Sequence, residues 1–243
     1  MANWSDPLMG APAATSVGSQ SVAYDAGLRS YMLSVYNYMA SGVLLTGIVA
    51  LLFARSGYAE AVMFGPGILK YLVMFSPLAF VLALSFGINR MSTATAQMVF
   101  WAYAAVNGLA LSTIFFVYTG TSIAQVFFAT SAAFAGLSLF GYVTKKDLSG
   151  MGTFLIMGVI GLIVAGIINI FLKSDMFSMV ISGIGVLIFA GLTAYDTQRI
   201  KSMYSAVAGS DMVGKTVVMG ALQLYLDFIN MFLYLLRLFG SRD

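Results

Sequence analysis

The stretch Thr216–Leu238, TVVMGALQLYLDFINMFLYLLRL, is long and apolar enough to cross a membrane as a helix, yet it carries Asp227 close to its centre. A charged side chain at that depth costs about 2.5–3.5 kcal/mol on insertion scales. Nothing nearby on the same helix neutralises Asp227. It must therefore hold a proton, or face an ion or a partner on another helix, which makes it the leading functional candidate.

The composition of the whole chain agrees with a membrane protein. Of its 243 residues, 60% are hydrophobic and only 9% are charged, whereas soluble domains carry about 25% charged residues. The chain has neither Cys nor His, which excludes thiol chemistry, disulfides and a serine–histidine hydrolase. We expect no enzymatic activity and no cofactor. The net charge of +3 indicates membrane topology rather than nucleic-acid binding.

Seven apolar stretches are long enough to span a bilayer as helices. Residues 1–29 are rich in Ala, Gly and Ser, and we predict a flexible N-terminal tail there, followed by one transmembrane domain over residues 30–240. The predicted spans are Tyr31–Ala54, Pro66–Ile88, Thr95–Tyr118, Ser122–Tyr142, Gly152–Leu172, Met176–Arg199 and Thr216–Leu238.

Basic residues in the connecting loops favour a cytoplasmic N-terminus, since Lys and Arg accumulate on the inner side of a membrane. With that orientation the inner side has a small excess of basic residues. They are Arg29, Arg90, Lys145, Lys146, Arg199, Lys201 and Lys215, against Arg55, Lys70, Lys173, Arg237 and Arg242 outside.

Asp227 belongs to a polar stripe on the last predicted helix. Its members recur at alternating steps of four and three residues, which places them on one face; they are Thr216, Gly220, Gln223, Asp227, Asn230 and Tyr234. Such a stripe must face protein or water, so we expect this helix inside the bundle. Gln223 and Asn230 alone would suit a helix–helix hydrogen-bond seam, but Asp227 favours a functional role.

A second carboxylate, Asp196, lies near the inner end of the sixth span in AGLTAYDTQRI. It could simply reach water or pair with Arg199 three residues on. If the sixth and seventh helices are antiparallel neighbours, Asp196 could instead approach Asp227, although it would be shallower unless the sixth helix continues past Arg199. Two carboxylates in contact do not easily both ionise and titrate as a pair.

The same two carboxylates, fully ionised, offer oxygen ligands suited to Ca²⁺, with Gln223, Asn230 and backbone carbonyls available to complete the shell. Arg90, in the short SFGINRM connection after the second span, has two interpretations. It is either an anchor at the inner membrane surface or a partner for an acidic residue such as Asp196.

Four segments of this chain resemble the Bax inhibitor-1 family, also called the transmembrane Bax inhibitor motif family. They are LQLYLDFINMFLYLLRLFG at the C-terminus, TKKDLSGMGTFL, GIINIF and AYDTQRI, in the expected order. The resemblance covers residues 25–240. Only Ser241–Asp243 follow the last motif, which is similar to bacterial members rather than to the longer-tailed eukaryotic ones.

The resemblance implies an all-α membrane protein of seven transmembrane helices, with the last helix central and surrounded by the other six. Bacterial members resemble a pH-sensitive calcium leak channel gated by an aspartate pair, here Asp196 and Asp227, with an arginine latch, here Arg90. The expected location is a bacterial inner membrane, and the expected partners are the lipid bilayer, Ca²⁺ and protons.

Two other functions stay open. Some bacterial relatives resemble modulators or substrates of a membrane-anchored ATP-dependent protease, and the tail over residues 1–29 would suit such a partner. A proton-coupled transporter of a small metabolite is the other, although the sequence shows neither an inverted repeat nor a pair of broken helices.

Overall fold

The computed structural model describes residues 14–242, and side chains from residue 22 onward. Within that part of the chain the structure is helical, and its only strand-like pairing is an isolated bridge between Tyr118 and Arg242. The helices are α1 (Ala14–Arg55), α2 (Tyr58–Phe64), α3 (Leu69–Gly87), α4 (Thr93–Leu111), α5 (Gly120–Val143), α6 (Ser149–Leu172), α7 (Asp175–Val207) and α8 (Met212–Phe239), with short 3₁₀ turns at Ile88–Arg90 and Ser112–Phe116.

Seven of these helices, all except α2, are long and apolar enough to cross a membrane, which confirms the number of spans predicted from sequence. Two boundaries differ. Helix α1 begins at Ala14, so residues 14–29, which we assigned to a flexible tail, are helical; residues 1–13 lie outside the described residues. Helix α7 continues past Arg199 to Val207.

From Tyr24 onward, the first part of α1 packs against the extension of α7. Tyr204 in the extension of α7 packs against Tyr24 and Tyr31 of α1, with ring centroids 5.2 and 5.3 Å apart. Gly27 lies so close to the Tyr204 hydroxyl that a β-carbon would clash with it. Tertiary packing thus stabilises helix around Tyr24 and Tyr204, in segments that are too polar to be predicted as spans.

Side-chain caps explain where several helices begin. Ser92, Thr119 and Ser174 each accept a hydrogen bond from the backbone N–H three residues later, at 3.1, 3.2 and 3.2 Å. These are the N-caps of α4, α5 and α7, and a cap of this kind satisfies one of the free N–H groups of the first turn.

Helix α8 is the centre of the bundle, as predicted. Of its most apolar 18-residue window, 72% is buried, against 6% for α3 and 11% for α6. Helices α1, α4, α5 and α7 pack directly on α8, while α3 lies mainly against α4 and α6 against α7. The helix whose sequence carries the polar stripe is therefore the one most shielded from lipid.

A tight turn joins α7 to α8 and makes them antiparallel neighbours. Gly209 adopts a φ of 75° in that turn, a left-handed conformation that glycine reaches without steric cost. At the other end of α8, the Ser241 backbone accepts a hydrogen bond from Thr119 N (3.1 Å) and donates one to Ser122 Oγ (2.9 Å). Both ends of the central helix are thus fixed to their neighbours.

Candidate functional site: a buried carboxyl pair between α7 and α8

The polar stripe of α8 faces α7 over its length. Gly220 lies against Ile200: a β-carbon added at Gly220 would be 3.1 Å from the isoleucine side chain. Tyr234 packs over Gly185 and stacks on Phe189, with ring centroids 5.9 Å apart. Later residues of α8 thus meet earlier residues of α7, as antiparallel helices require. The stripe is a helix–helix seam, and the carboxyl pair lies within it.

Asp196 and Asp227 meet in this seam. Both side chains are buried, with 7% and 4% of their surface exposed, and the two carboxyls are within hydrogen-bonding reach of each other. The extension of α7 to Val207 explains the match in depth: Asp196 lies about 17 Å from the end of α7 and Asp227 about 22 Å from the start of α8, at 1.5 Å per residue. The difference is about one helical turn.

One oxygen of the pair is buried without a hydrogen-bond donor. No N–H or O–H group of the described residues donates to Oδ2 of Asp227, which is fully buried. Ionised carboxylates are acceptors only, so a hydrogen bond between Asp196 and Asp227 requires a proton on one of them. The geometry is therefore that of two carboxyl groups able to share a proton.

Arg199, not Arg90, is the basic residue close enough to act on the charge of Asp196. Arg90 is exposed and lies in the 3₁₀ turn between α3 and α4. That turn lies at the end of the bundle where α8 begins, since Thr93 lies beside Gly214 at the start of α8. The expected Arg90–Asp196 ion pair does not occur in the described part of the chain in this conformation.

Gln223 and Asn230 are both half-buried. Asn230 Nδ2 donates to the backbone carbonyl of Leu226 at 2.8 Å, which leaves its side-chain oxygen free to accept. Among the described residues no group of three or more acidic side chains could hold a metal ion. Ca²⁺ takes six to eight oxygen ligands, so the two carboxyls could supply only part of a calcium shell.

Sequence reasoning missed a hydrogen-bonded chain that runs from α1 through α5 to the residue beside Asp196. The hydroxyl groups of Tyr36 and Ser138 are 2.7 Å apart, and those of Ser138 and Thr197 are 2.9 Å apart. Thr197 in turn donates to the Thr193 carbonyl at 2.8 Å. Ser138 and Thr197 inside apolar spans were the available signal, but their partners depend on which helices are neighbours.

A second buried network ties α8 to α1 and α4. Asn107 Nδ2 donates to Tyr225 Oη at 2.8 Å, Tyr225 Oη and Thr46 Oγ1 are 2.6 Å apart, and Thr46 donates to the Ala104 carbonyl at 2.8 Å. Since the Thr46 proton is used in that last bond, Tyr225 donates to Thr46. Each hydroxyl in this network both donates and accepts.

Close packing of α5 on α7 supports the pair from the side. A β-carbon on Gly141 would clash with the backbone carbonyl of Ala194, two residues before Asp196. Gln198 of α7 binds the connection after α5: its side-chain oxygen accepts from Leu148 N at 2.8 Å, and its Nε2 donates to the Lys146 carbonyl at 2.9 Å. The α7 segment around Asp196 is thus fixed on two sides.

Fold and site together define a seven-helix membrane protein with a carboxyl pair enclosed between its last two helices. The chain matches the family described as "Inhibitor of apoptosis-promoting Bax1" over residues 28–243, and it belongs to that family, as the sequence motifs predicted.

Relatives from several bacteria match over most of their length. Protein RP147 of Rickettsia prowazekii (strain Madrid E) is 49% identical over 225 residues, covering 92% of this chain and 94% of the relative. Inner membrane protein YbhL of Escherichia coli (strain K12) is 44% identical over 219 residues, covering 89% and 94%. A membrane protein of Streptococcus pyogenes serotype M3 is 39% identical over 221 residues, covering 90% and 96%.

Proposed function

We propose that this protein is a non-enzymatic calcium leak channel whose flux is controlled by protonation of the Asp196–Asp227 pair. The observation that carries the proposal is the contact between these two carboxyls inside the α7–α8 seam, with both side chains buried. Buried carboxyls in contact on transmembrane helices are costly, and such groups commonly mark ion or proton pathways.

Proton control follows from the chemistry of the pair. With one shared proton, the carboxyls attract each other and hold α7 against α8. Without it, two negative charges repel each other in a site with no donor to Asp227 Oδ2. The pair titrates as a unit rather than as two independent residues, so a small pH change alters both the charge of the seam and the force between its helices.

Ca²⁺ acts here as cargo rather than as a resident ion. A pair of carboxylates is a partial ligand set for Ca²⁺, whose tight sites use six to eight oxygens. An ion path needs contacts favourable enough to admit the ion and weak enough to release it. The absence of a larger acidic cluster among the described residues suits passage better than storage.

The Arg90 latch belongs to a second conformation in this proposal. Arg90 is exposed at the end of the bundle from which Asp196 is reached, and only α4 among the long helices packs strongly on α3. Movement of the weakly held α3 would bring Arg90 towards Asp196.

Arg90→Gln should then raise the calcium leak at every pH where the latch forms. Arg199→Gln, the matched change, should alter the pH response instead; equal flux in Arg90→Gln and wild type would exclude the latch.

The direct test uses the purified protein in liposomes that enclose a calcium dye. We expect calcium flux above that of empty liposomes, with a pH dependence that is absent in Asp196→Asn combined with Asp227→Asn. The matched control combines Asp175→Asn with Asp211→Asn, which removes two acidic residues at the starts of α7 and α8. The mechanism is wrong if the first double variant retains both the flux and its pH dependence.

We place the protein in a bacterial inner membrane with its N-terminus in the cytoplasm. The inner-membrane relative YbhL and the distribution of basic residues support this placement. The protease-linked alternative depends on the N-terminal tail, whose first thirteen residues lie outside the described residues, and it stays a prediction.

A further inference from the structure

A long groove lies between α1 and α5 where both helices pack on α8. It encloses a cavity of about 750 Å³ with Phe228 of α8 as its floor, a volume within the usual range for small-molecule sites. Leu33, Leu44 and Leu139 line it and expose 51%, 64% and 62% of their surface. The groove therefore opens sideways, towards the acyl chains of a surrounding bilayer.

The walls of the groove offer almost no free polar group. Tyr36 and Ser138 satisfy each other at 2.7 Å, and Ser131 donates to the Phe127 carbonyl at 2.8 Å. A polar metabolite buried here would lose its hydrogen bonds to water without replacement, at a cost of several kcal/mol. An acyl chain loses nothing, so the lining favours a lipid tail over a soluble ligand.

One end of the groove is basic. Arg29 lines it there together with Tyr142. Lys201 lies over the Tyr142 ring, with Nζ 4.7 Å from the ring centroid, and donates to the Tyr142 carbonyl at 2.8 Å. Arginine binds phosphate through paired hydrogen bonds, and basic residues at a membrane surface attract anionic lipids. The charges are thus at one end only of an apolar groove, as a phospholipid requires.

The length of the groove agrees with one leaflet. From Arg29 to Leu44 along α1 is about 22 Å at 1.5 Å per residue. A bilayer is about 40–45 Å thick including its headgroups, so a single leaflet is about 20–22 Å. A second cavity, of about 660 Å³, continues from the shared residues Val43, Phe127 and Phe228 to Arg55 at the other end. The two cavities meet where the two leaflets of a bilayer would meet.

We infer that the α1–α5 groove is a binding site for one anionic phospholipid. An acyl chain lies along the groove from Tyr36 to Phe127, and the headgroup phosphate binds Arg29. This lipid stays bound to the protein and does not exchange freely with the surrounding bilayer lipids. It fills the gap left between two helices that both pack on α8.

Native mass spectrometry of the full-length protein in detergent, titrated with phosphatidylglycerol or phosphatidylcholine, tests the inference. Ala135→Trp should fill the groove and weaken the first bound phosphatidylglycerol by roughly tenfold for every two methylenes displaced. Ala132→Trp is the matched control, because Ala132 is an exposed alanine of the same helix that does not line the groove. Ala40→Trp, from the α1 wall, replaces Ala135→Trp if the latter does not fold.

The headgroup assignment has its own pair of variants. Arg29→Gln should weaken phosphatidylglycerol by roughly fivefold and phosphatidylcholine by less, because the choline cation offsets the charge of its phosphate. Arg237→Gln, at the far end of α8, should change neither. Equal lipid retention in Ala135→Trp and Ala132→Trp would overturn the site. A dimer of the wild type that dissociates in Ala135→Trp would overturn it too, since a second copy would then occupy the groove. Unchanged phosphatidylglycerol binding in Arg29→Gln would overturn the assignment of the phosphate.

Discussion

The two sides of α8 are built in opposite ways. On the α7 side the helices touch closely, with small residues and a polar seam that encloses Asp196 and Asp227. On the other side α1 and α5 stand apart over an apolar groove with Phe228 as its floor. Close contact excludes lipid and water from the carboxyl pair, whereas the gap admits lipid. The carboxyl pair therefore lies on the side where the backbones of α7 and α8 approach each other.

The largest expected effect comes from breaking the closely packed side. Gly141→Ala would push α5 away from the Ala194 carbonyl and should destabilise the protein by about 1–3 kcal/mol, the usual cost of overpacking. Gly136→Ala is the control on the same helix, because a β-carbon there meets nothing within 4 Å, and it should be neutral or slightly stabilising. Thermal unfolding in detergent measures both. Equal melting temperatures would contradict the close approach of α5 and α7.

Removal of a single hydroxyl should have the next largest effect. Tyr225→Phe leaves Asn107 without its acceptor and Thr46 without its donor, which costs about 1–2 kcal/mol for buried bonds inside a membrane bundle. Tyr58→Phe removes the hydroxyl of a tyrosine that is 72% exposed and should leave thermal unfolding unchanged. A Tyr225→Phe protein as stable as Tyr58→Phe would show that this network does not hold α8.

Substitution on the open side should be tolerated. Ala135 is exposed and lines the groove, so Ala135→Leu should change the free energy of unfolding by no more than about 0.5 kcal/mol. The same measurement on Gly141→Leu should give a much larger loss, because the added side chain meets backbone. If both leucine variants unfold alike, the α5–α7 contact and the α1–α5 groove do not differ in packing as described.

The smallest effect concerns the charge of Asp147, which belongs to neither side of α8. Asp147 accepts a hydrogen bond from Ser149 N at 2.9 Å at the start of α6, which lowers the pKa of that carboxyl below its usual value. A lowered pKa in the folded state means that the stabilisation is present at neutral pH and is lost as the pH falls below about 4. Asp147→Ala should thus melt slightly earlier than wild type at pH 7, and the difference should shrink as the pH falls below about 4. A difference that does not shrink in acid would exclude an ionic cause.

Part of this architecture could be predicted from sequence. The period of Gly220, Asp227 and Tyr234 alone places them on one face, and an apolar helix with such a face must be central. The extension of α7 to Val207 could not be predicted, because its sequence is too polar for a span and its helix depends on contact with α1. That extension is what brings Asp196 to the depth of Asp227.

The groove was also beyond sequence reasoning. Its walls are ordinary apolar faces of α1 and α5, and nothing in either face indicates that the two helices stay apart. The position of Arg90 depends in the same way on tertiary arrangement. The sequence motif around Arg90 contains only neighbouring residues. The distance from Arg90 to Asp196 depends instead on how α3 packs on α4 and on the depth of Asp196 in α7.

The most direct test of the central claim is the pH dependence of calcium flux in Asp196→Asn, Asp227→Asn and the double variant, each in liposomes. If the two carboxyls share one proton and act as a unit, each single substitution should remove the pH dependence as completely as the double one, since coupled residues are not additive. Single effects that add up to the double effect, or a pH dependence that survives in the double variant, would contradict the account.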